Sequence, residues 1–100
     1  MSYQIITITG KLVEHGEPYE IAPSRLAQRI VIECSYSDPR VKTDYFAVFA
    51  YGLDIRKLWE SYDDTHKPQS CTITAKLNGR MKANRNTLTL TLKKIIWNYD

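Results

Sequence analysis

Apolar and polar residues alternate with a period of two through most of this chain, the repeat expected of strands with one buried face. Ile6, Ile8, Gly10 and Leu12 alternate with Thr7, Thr9 and Lys11, which predicts a first strand with a glycine where a bulge or sharp coil is useful. The segment Glu14 to Ser24, with Gly16, Pro18 and Pro23, reads as a loop. A second strand is expected from Leu26 to Tyr36, with Ile30, Ile32 and Cys34 on one face and Arg29, Val31 and Glu33 on the other. Ser37-Asp38-Pro39 ends it with turn chemistry.

The third strand, Thr43 to Tyr51, is the most aromatic stretch. Its alternation places Phe46, Val48 and Ala50 on one face and Tyr45, Ala47, Phe49 and Tyr51 on the other, so both faces call for a cover. Gly52 breaks the strand, and Ile55, Leu58, Trp59 and Tyr62 then recur at helical spacing, predicting one short helix from Leu53 to Tyr62. After a loop from Asp63 to Ser70, a fourth strand turns Cys71, Ile73, Ala75 and Leu77 inward. Asn78 to Asn86 forms a basic hairpin arm, and a fifth strand follows with Leu88, Leu90 and Leu92 against Thr87, Thr89, Thr91 and Lys93, ending in Ile95-Ile96-Trp97.

Three strands, one helix and two strands are the layout of an OB-fold, a five-stranded Greek-key barrel with its helix between strands three and four. A β-sandwich needs about seven strands and a ferredoxin-like fold needs two helices. One hundred residues, 43% hydrophobic and 25% charged, suit one such domain over residues 1–100 with a single core. No apolar run is long enough to span a bilayer, and Met1-Ser2-Tyr3-Gln4 lacks the basic flank and apolar stretch of a signal peptide, so a cytoplasmic protein is expected. Cys34 and Cys71 stand far apart with no CxxC or His/Cys cluster, which points to two reduced thiols in the core and to no metal or other cofactor.

Charge changes the picture more than composition does. Residues 1–64 carry seven Lys/Arg and ten Asp/Glu, whereas residues 65–99 carry seven Lys/Arg and no acid. A block of this kind faces a polyanion or is merely a solvated face. Catalytic signatures such as GxSxG, HExxH, a P-loop or GxGxxG are absent, His15 and His66 stand alone in predicted loops, and Asp63-Asp64 reads as a polar loop; a non-enzyme is expected. What remains is rings beside cations, the equipment of sequence-tolerant single-strand binders. Tyr45, Phe49 and Tyr51 supply the rings, and Lys76, Arg80, Lys82 and Arg85 supply the cations on or near the strand four–five arm. The competing reading makes Tyr45 and Tyr51 ordinary surface or subunit-interface aromatics and buries Phe49. Trp59 belongs to the core by its place on the helix, while Trp97 and Tyr99 suit either base stacking or closure of the barrel.

Over nearly its whole length the chain resembles the bacterial single-stranded-DNA-binding proteins. Three stretches carry the resemblance: Ile5-Ile6-Thr7-Ile8-Thr9-Gly10-Lys11-Leu12, Thr43-Asp44-Tyr45-Phe46-Ala47-Val48-Phe49-Ala50-Tyr51-Gly52, and Cys71-Thr72-Ile73-Thr74-Ala75-Lys76-Leu77. The resemblance implies single-stranded DNA binding in replication, recombination or repair, with base-stacking roles for Tyr45 and Tyr51 and a homodimer or homotetramer as the assembly. Two departures stand out. Ala47 and Phe49 occupy positions where that family usually has basic or polar residues, and the chain stops at Asn98-Tyr99-Asp100 where the family commonly has an acidic recruitment tail. The second departure also suits a small, tail-less relative of the primosomal replication type. RNA as a ligand, and an assembly module whose basic face meets an acidic protein partner, remain the alternatives.

Overall fold

The computed structural model describes residues 4–37 and 39–99, so Asp38 of the expected turn, Met1 to Tyr3 and the final Asp100 lie outside the described residues. Six strands and one helix run in the order β1 (Gln4–His15), β2 (Tyr19–Ala22), β3 (Arg25–Ser37), β4 (Val41–Tyr51), α1 (Leu53–Glu60), β5 (Ser70–Lys82) and β6 (Arg85–Asn98). The sheet order is β1-β5-β6-β4-β3-β2, and an additional β1–β3 pairing closes five of the strands into a ring with β2 attached outside it. All pairings are antiparallel except the short parallel contact of β4 with β6 at Val48↔Leu90 and Phe49↔Thr91.

The ring closes because β1 changes partner midway. Gln4 to Gly10 pair with β5, and Lys11 to His15 pair with β3. Gly10 sits at the changeover, where a β-carbon would run into the Glu33 carbonyl oxygen and lie 2.9 Å from both Cys34 Sγ and Ile32 Cγ2. The glycine is there because two backbones cross with no room for a side chain.

Two expectations need correcting. The strand count is six among the described residues, because Tyr19–Ala22 lies inside the segment expected to be loop. All four of its residues are exposed, so they carry no alternation of buried and polar positions to announce a strand. β2 is held instead by its pairing with β3 and by the turn at Ser24, whose φ is 62°. The helix ends at Glu60, two residues before Tyr62. Tyr62 still packs against the core from beyond the helix, its N–H donating to the Trp59 carbonyl at 3.1 Å, which gives it the spacing of a helical residue.

The interior of the ring is apolar: Ile8, Ile30, Ile32, Val48, Leu58, Ile73, Leu90 and Leu92 form one cluster with Cys71 and Trp97. On β6 the inward parity changes from Leu90 and Leu92 to Ile95 and Trp97, and the register shift that pairs Thr74 with Lys94 but Ala75 with Leu92 accommodates it, leaving Lys93 unpaired. The helix closes one end of the ring through Leu58, and Trp97 Nε1 donates to the Leu58 carbonyl at 3.0 Å. Trp97 is therefore a core residue. Tyr99 ties the chain's last strand to the helix end, its hydroxyl donating to the Ser61 carbonyl and accepting from the Asp63 N–H, both at 2.7 Å. Gln28, the buried polar side chain among the described residues, bridges Gly16 and Trp59: its amide donates to the Gly16 carbonyl at 2.8 Å and its oxygen accepts from Trp59 Nε1 at 2.9 Å. Cys71 is fully buried, Cys34 half-buried, and neither is in a disulfide. No helix among the described residues is long and apolar enough to cross a membrane.

Gly10→Ala should lower the unfolding free energy by about 1–3 kcal/mol, since backbone lies in the way and the strand must shift. Gly16→Ala, whose nearest neighbour would be the Arg29 carbonyl at 4.0 Å, should stay within about 0.5 kcal/mol of the parent in the same urea titration. Burial pushes the Cys71 thiol from its ordinary 9.0 up to about 11. The folded state therefore favours the neutral thiol, a contribution whole below pH 9.0 and lost as the pH rises toward about 11. The stability difference between the native chain and Cys71→Ala should narrow across that window in thermal melts; a constant difference would contradict it.

Candidate functional site

The odd-numbered side chains of β4 point away from the core, because Phe46, Val48 and Ala50 take the inward positions. Phe49 and Tyr51 consequently lie next to each other on the outside, their rings nearly parallel at 19° with centroids 6.4 Å apart. Antiparallel pairing puts Arg29 opposite Phe49 and Ala27 opposite Tyr51, and Tyr19 of β2 flanks Ala27 from the other side. Two residues along β3 from Ala27, Arg25 places its guanidinium carbon 5.4 Å from the Tyr51 ring centroid, a cation–π contact.

Tyr51 and Arg25 form one wall of a cleft of about 810 Å³ whose other wall is the outer face of β5 and β6. Lys76, Asn78 and Arg80 of β5 pair with Thr91, Thr89 and Thr87 of β6, and all six line the cleft. Asn78 Nδ2 donates to Thr91 Oγ1 at 3.1 Å, fixing the amide across the ladder. Three cations, hydroxyls, the two amides of Gln4 and Asn78 and an aromatic ring thus converge on a groove with no carboxylate in its lining among the described residues. The arrangement suits a phosphate-bearing chain that also offers flat, stackable groups.

Of the seven residues expected from sequence, three line this cleft: Tyr51, Lys76 and Arg80. Phe49 adjoins it through its stack with Tyr51. Tyr45 shares the face but stands apart, 62% exposed, with Glu33 opposite it on β3. Lys82 and Arg85 pair with each other at the tip of the β5–β6 hairpin, where Ala83 and Asn84 make the turn with φ of 50° and 62°. They line a smaller hollow of about 330 Å³ with Thr87. Arg25, Asn78 and the threonine ladder are additions that sequence reasoning missed. Arg25 immediately precedes the strand expected from Leu26 and shares the parity of Ala27 and Arg29, so a signal exists, but a flanking segment that reads as loop conceals which face β2 leaves open. Arg29 is engaged in an ion pair with Glu14 at 3.6 Å.

A second hollow, about 640 Å³, lies on the helix side and is lined by Leu12, His15, Gln28, Ile55, Trp59 and Tyr62, with Glu17, Asp64 and Lys67 among its polar residues. His15 meets the Trp59 ring edge-on at 5.1 Å. Asp63 is occupied locally: its Oδ1 accepts from the Thr65 hydroxyl and N–H, and His66 pairs with its Oδ2 at 3.5 Å. The Thr65 bonds hold its carboxyl below the usual range. Among the described residues no group of three His, Cys, Asp or Glu could hold a metal ion.

No protein-family model matches the chain, and no curated protein matches it. Solved structures do. The mitochondrial single-stranded DNA-binding protein Rim1 of S. cerevisiae superposes with a TM-score of 0.74 at 17% identity, over 100% of this chain and 98% of that one. The N-terminal domain of PriB from Thermoanaerobacter tencongensis, described as dimeric, gives 0.63 at 15% identity over 93% of each chain. A small single-stranded DNA-binding protein from Streptomyces coelicolor gives 0.61 at 16% identity over 98% of this chain and 96% of that one. At such identities the likeness is one of fold, and it runs the length of both chains. The chain thus shares its fold with structures described as single-stranded DNA-binding proteins.

Proposed function

We propose that this chain, acting as one OB-fold domain, binds single-stranded DNA with little sequence preference, in replication, recombination or repair. The observation that carries the reading is the joining of Tyr51 to Arg25, Lys76 and Arg80 in one cleft with no carboxylate in its lining among the described residues. Bases stack on Tyr51, on the Phe49 ring beside it and, further along the strand, on the exposed Tyr45, while Arg25, Lys76 and Arg80 meet phosphates. Lys82 and Arg85 extend the phosphate contacts along the hairpin. The wall of Thr87, Thr89 and Thr91 offers hydroxyls to backbone or base edges without a bidentate pattern that would choose one base. The full-length likeness in fold to proteins described as single-stranded DNA-binding supports the same reading.

The chain is proposed to act as a homo-oligomer, either a dimer joined by strand pairing or a tetramer built from two such dimers. Between Gln4 and Gly10, β1 is paired to β5 along one edge only, and the exposed Ile5 lies on this stretch. An unpaired strand edge invites a second copy. Light scattering at micromolar concentration should give a mass at least twice that of one chain; a strict monomer would remove this part of the proposal.

Titration of a fluorescent oligothymidine at two salt concentrations tests the binding itself. Tyr45→Ala should cost about 1–3 kcal/mol of affinity and leave the melting temperature unchanged, since the ring is largely in solvent. Tyr51→Ala should cost as much affinity and also lower stability, because its ring packs on Phe49. Tyr51→Phe should retain most of the binding, as stacking uses the ring face. Replacing Arg80, Lys82 and Arg85 with alanine should flatten the salt slope by about two units, at about 0.7 for each phosphate no longer neutralised. Absence of salt-dependent oligonucleotide binding by the native chain would refute the proposal and favour an acidic protein partner for the basic face. A matching oligouridine titration reads the DNA against RNA preference.

A further inference from the structure

We propose that the bound single strand continues beyond the cleft, over the bulge of β6, to a second cationic station formed by Lys57, Lys93 and Lys94; this rests on the single-strand reading of the cleft. Along the outer face of the β5–β6 hairpin, the ladder row after Lys76–Thr91 is Thr74–Lys94, with Lys93 standing between them as the unpaired residue. In an unbroken strand, Lys93 and Lys94 would point to opposite faces, and one of the two would have to turn inward. The bulge removes that conflict, and both lysines are exposed at adjacent positions. Lys57, in the last turn of α1, joins them around a hollow of about 450 Å³ whose one carboxylate is Glu60.

Three features connect this station to the cleft. None of the three lysines makes an ion pair among the described residues, so their charge is not spent within the chain. The outer face that lies between is Thr74 and Thr91, and residues 65–99 contain no acid to interrupt the potential. The distance is short: one ladder step of two residues, about 7 Å, separates the Lys76 row from the Lys94 row. Counted from Lys82 at the hairpin tip to the Thr74–Lys94 row, the cationic stripe is eight residues long, about 26 Å, against about 13 Å for the Arg80-to-Lys76 stretch that lines the cleft. Lys57, Lys93 and Lys94, gathered without ion-pair partners among the described residues, repel one another, and a phosphate chain laid over them relieves that repulsion. No aromatic ring lines this hollow among the described residues, so it contributes phosphate contacts rather than stacking.

The test compares a short oligothymidine of about four nucleotides, about 13 Å at about 3.4 Å each and so confined to the cleft, with one of about fifteen, which spans the stripe. The combined variant Lys57→Gln, Lys93→Gln, Lys94→Gln should bind the short oligomer as the native chain does. For the long oligomer it should bind roughly tenfold more weakly, with a salt slope flatter by about 1.4–2 units, two or three phosphates at about 0.7 each. The triple variant Lys11→Gln, Arg40→Gln, Lys67→Gln, at exposed positions outside the cleft and the station, controls for net charge, and thermal melts confirm that both variants fold. Equal weakening for the two oligomers, an unchanged long oligomer, or the same weakening in the control would overturn the extended track while leaving binding in the cleft intact. Failure of the native chain to bind either oligomer would overturn single-strand binding itself, and the track with it.

Discussion

Everything in this structure depends on the close crossing of β1 over β3 at Gly10. A sheet closes on itself only if one strand serves two neighbours, and β1 does so by pairing with β5 before the glycine and with β3 after it. With any side chain at that point the backbones would separate. The five-membered ring would then open between β1 and β3, exposing Ile8, Ile30 and Ile32, which the closed ring keeps buried. Closure therefore sets the size of the core, and the core in turn decides which side chains are left over for the outside.

The outer face inherits its chemistry from that allocation. Because Phe46, Val48 and Ala50 fill the ring, Phe49 and Tyr51 must face out, and because Ala75 and Leu77 turn toward the core, Lys76 and Arg80 stand outside beside them. The short parallel contact of β4 with β6 then brings the aromatic strand and the cationic hairpin together, although more than twenty residues separate them in sequence. At the far end, Trp97, Trp59 and Gln28 lock the helix onto the ring by hydrogen bonds from both indoles. Buried polar groups satisfied in this way hold α1, and with it Lys57, at a defined place relative to β6.

The division of charge follows the same geometry. Carboxylates other than the terminal Asp100 occur in the first two thirds of the chain, and Glu17 and Asp64 among them collect on the helix side around the second hollow. The cleft beside Tyr51 has none in its lining among the described residues. A chain with a modest net charge of +3 thereby presents one face where cations gather and another where carboxylates do.

The alternation of residues along the chain determined most of the ring strands, their inward and outward faces, the helix between the aromatic strand and Ser70, and the concentration of cations after residue 64. These are local properties, carried by periodicity and by single glycines such as Gly10 and Gly52. The face shared by Tyr45, Phe49 and Tyr51 was legible for the same reason. Only the tertiary structure decided the rest. β2 has no buried residue of its own and exists as a strand because β3 offers it an edge. Arg25 joins Tyr51 through that hairpin, and Tyr45 separates from the cleft because the β5–β6 hairpin meets β4 only at its other end. Trp97 went to the core because the β6 bulge shifted its parity, a change of register that strand pairing imposes and a one-dimensional pattern does not record.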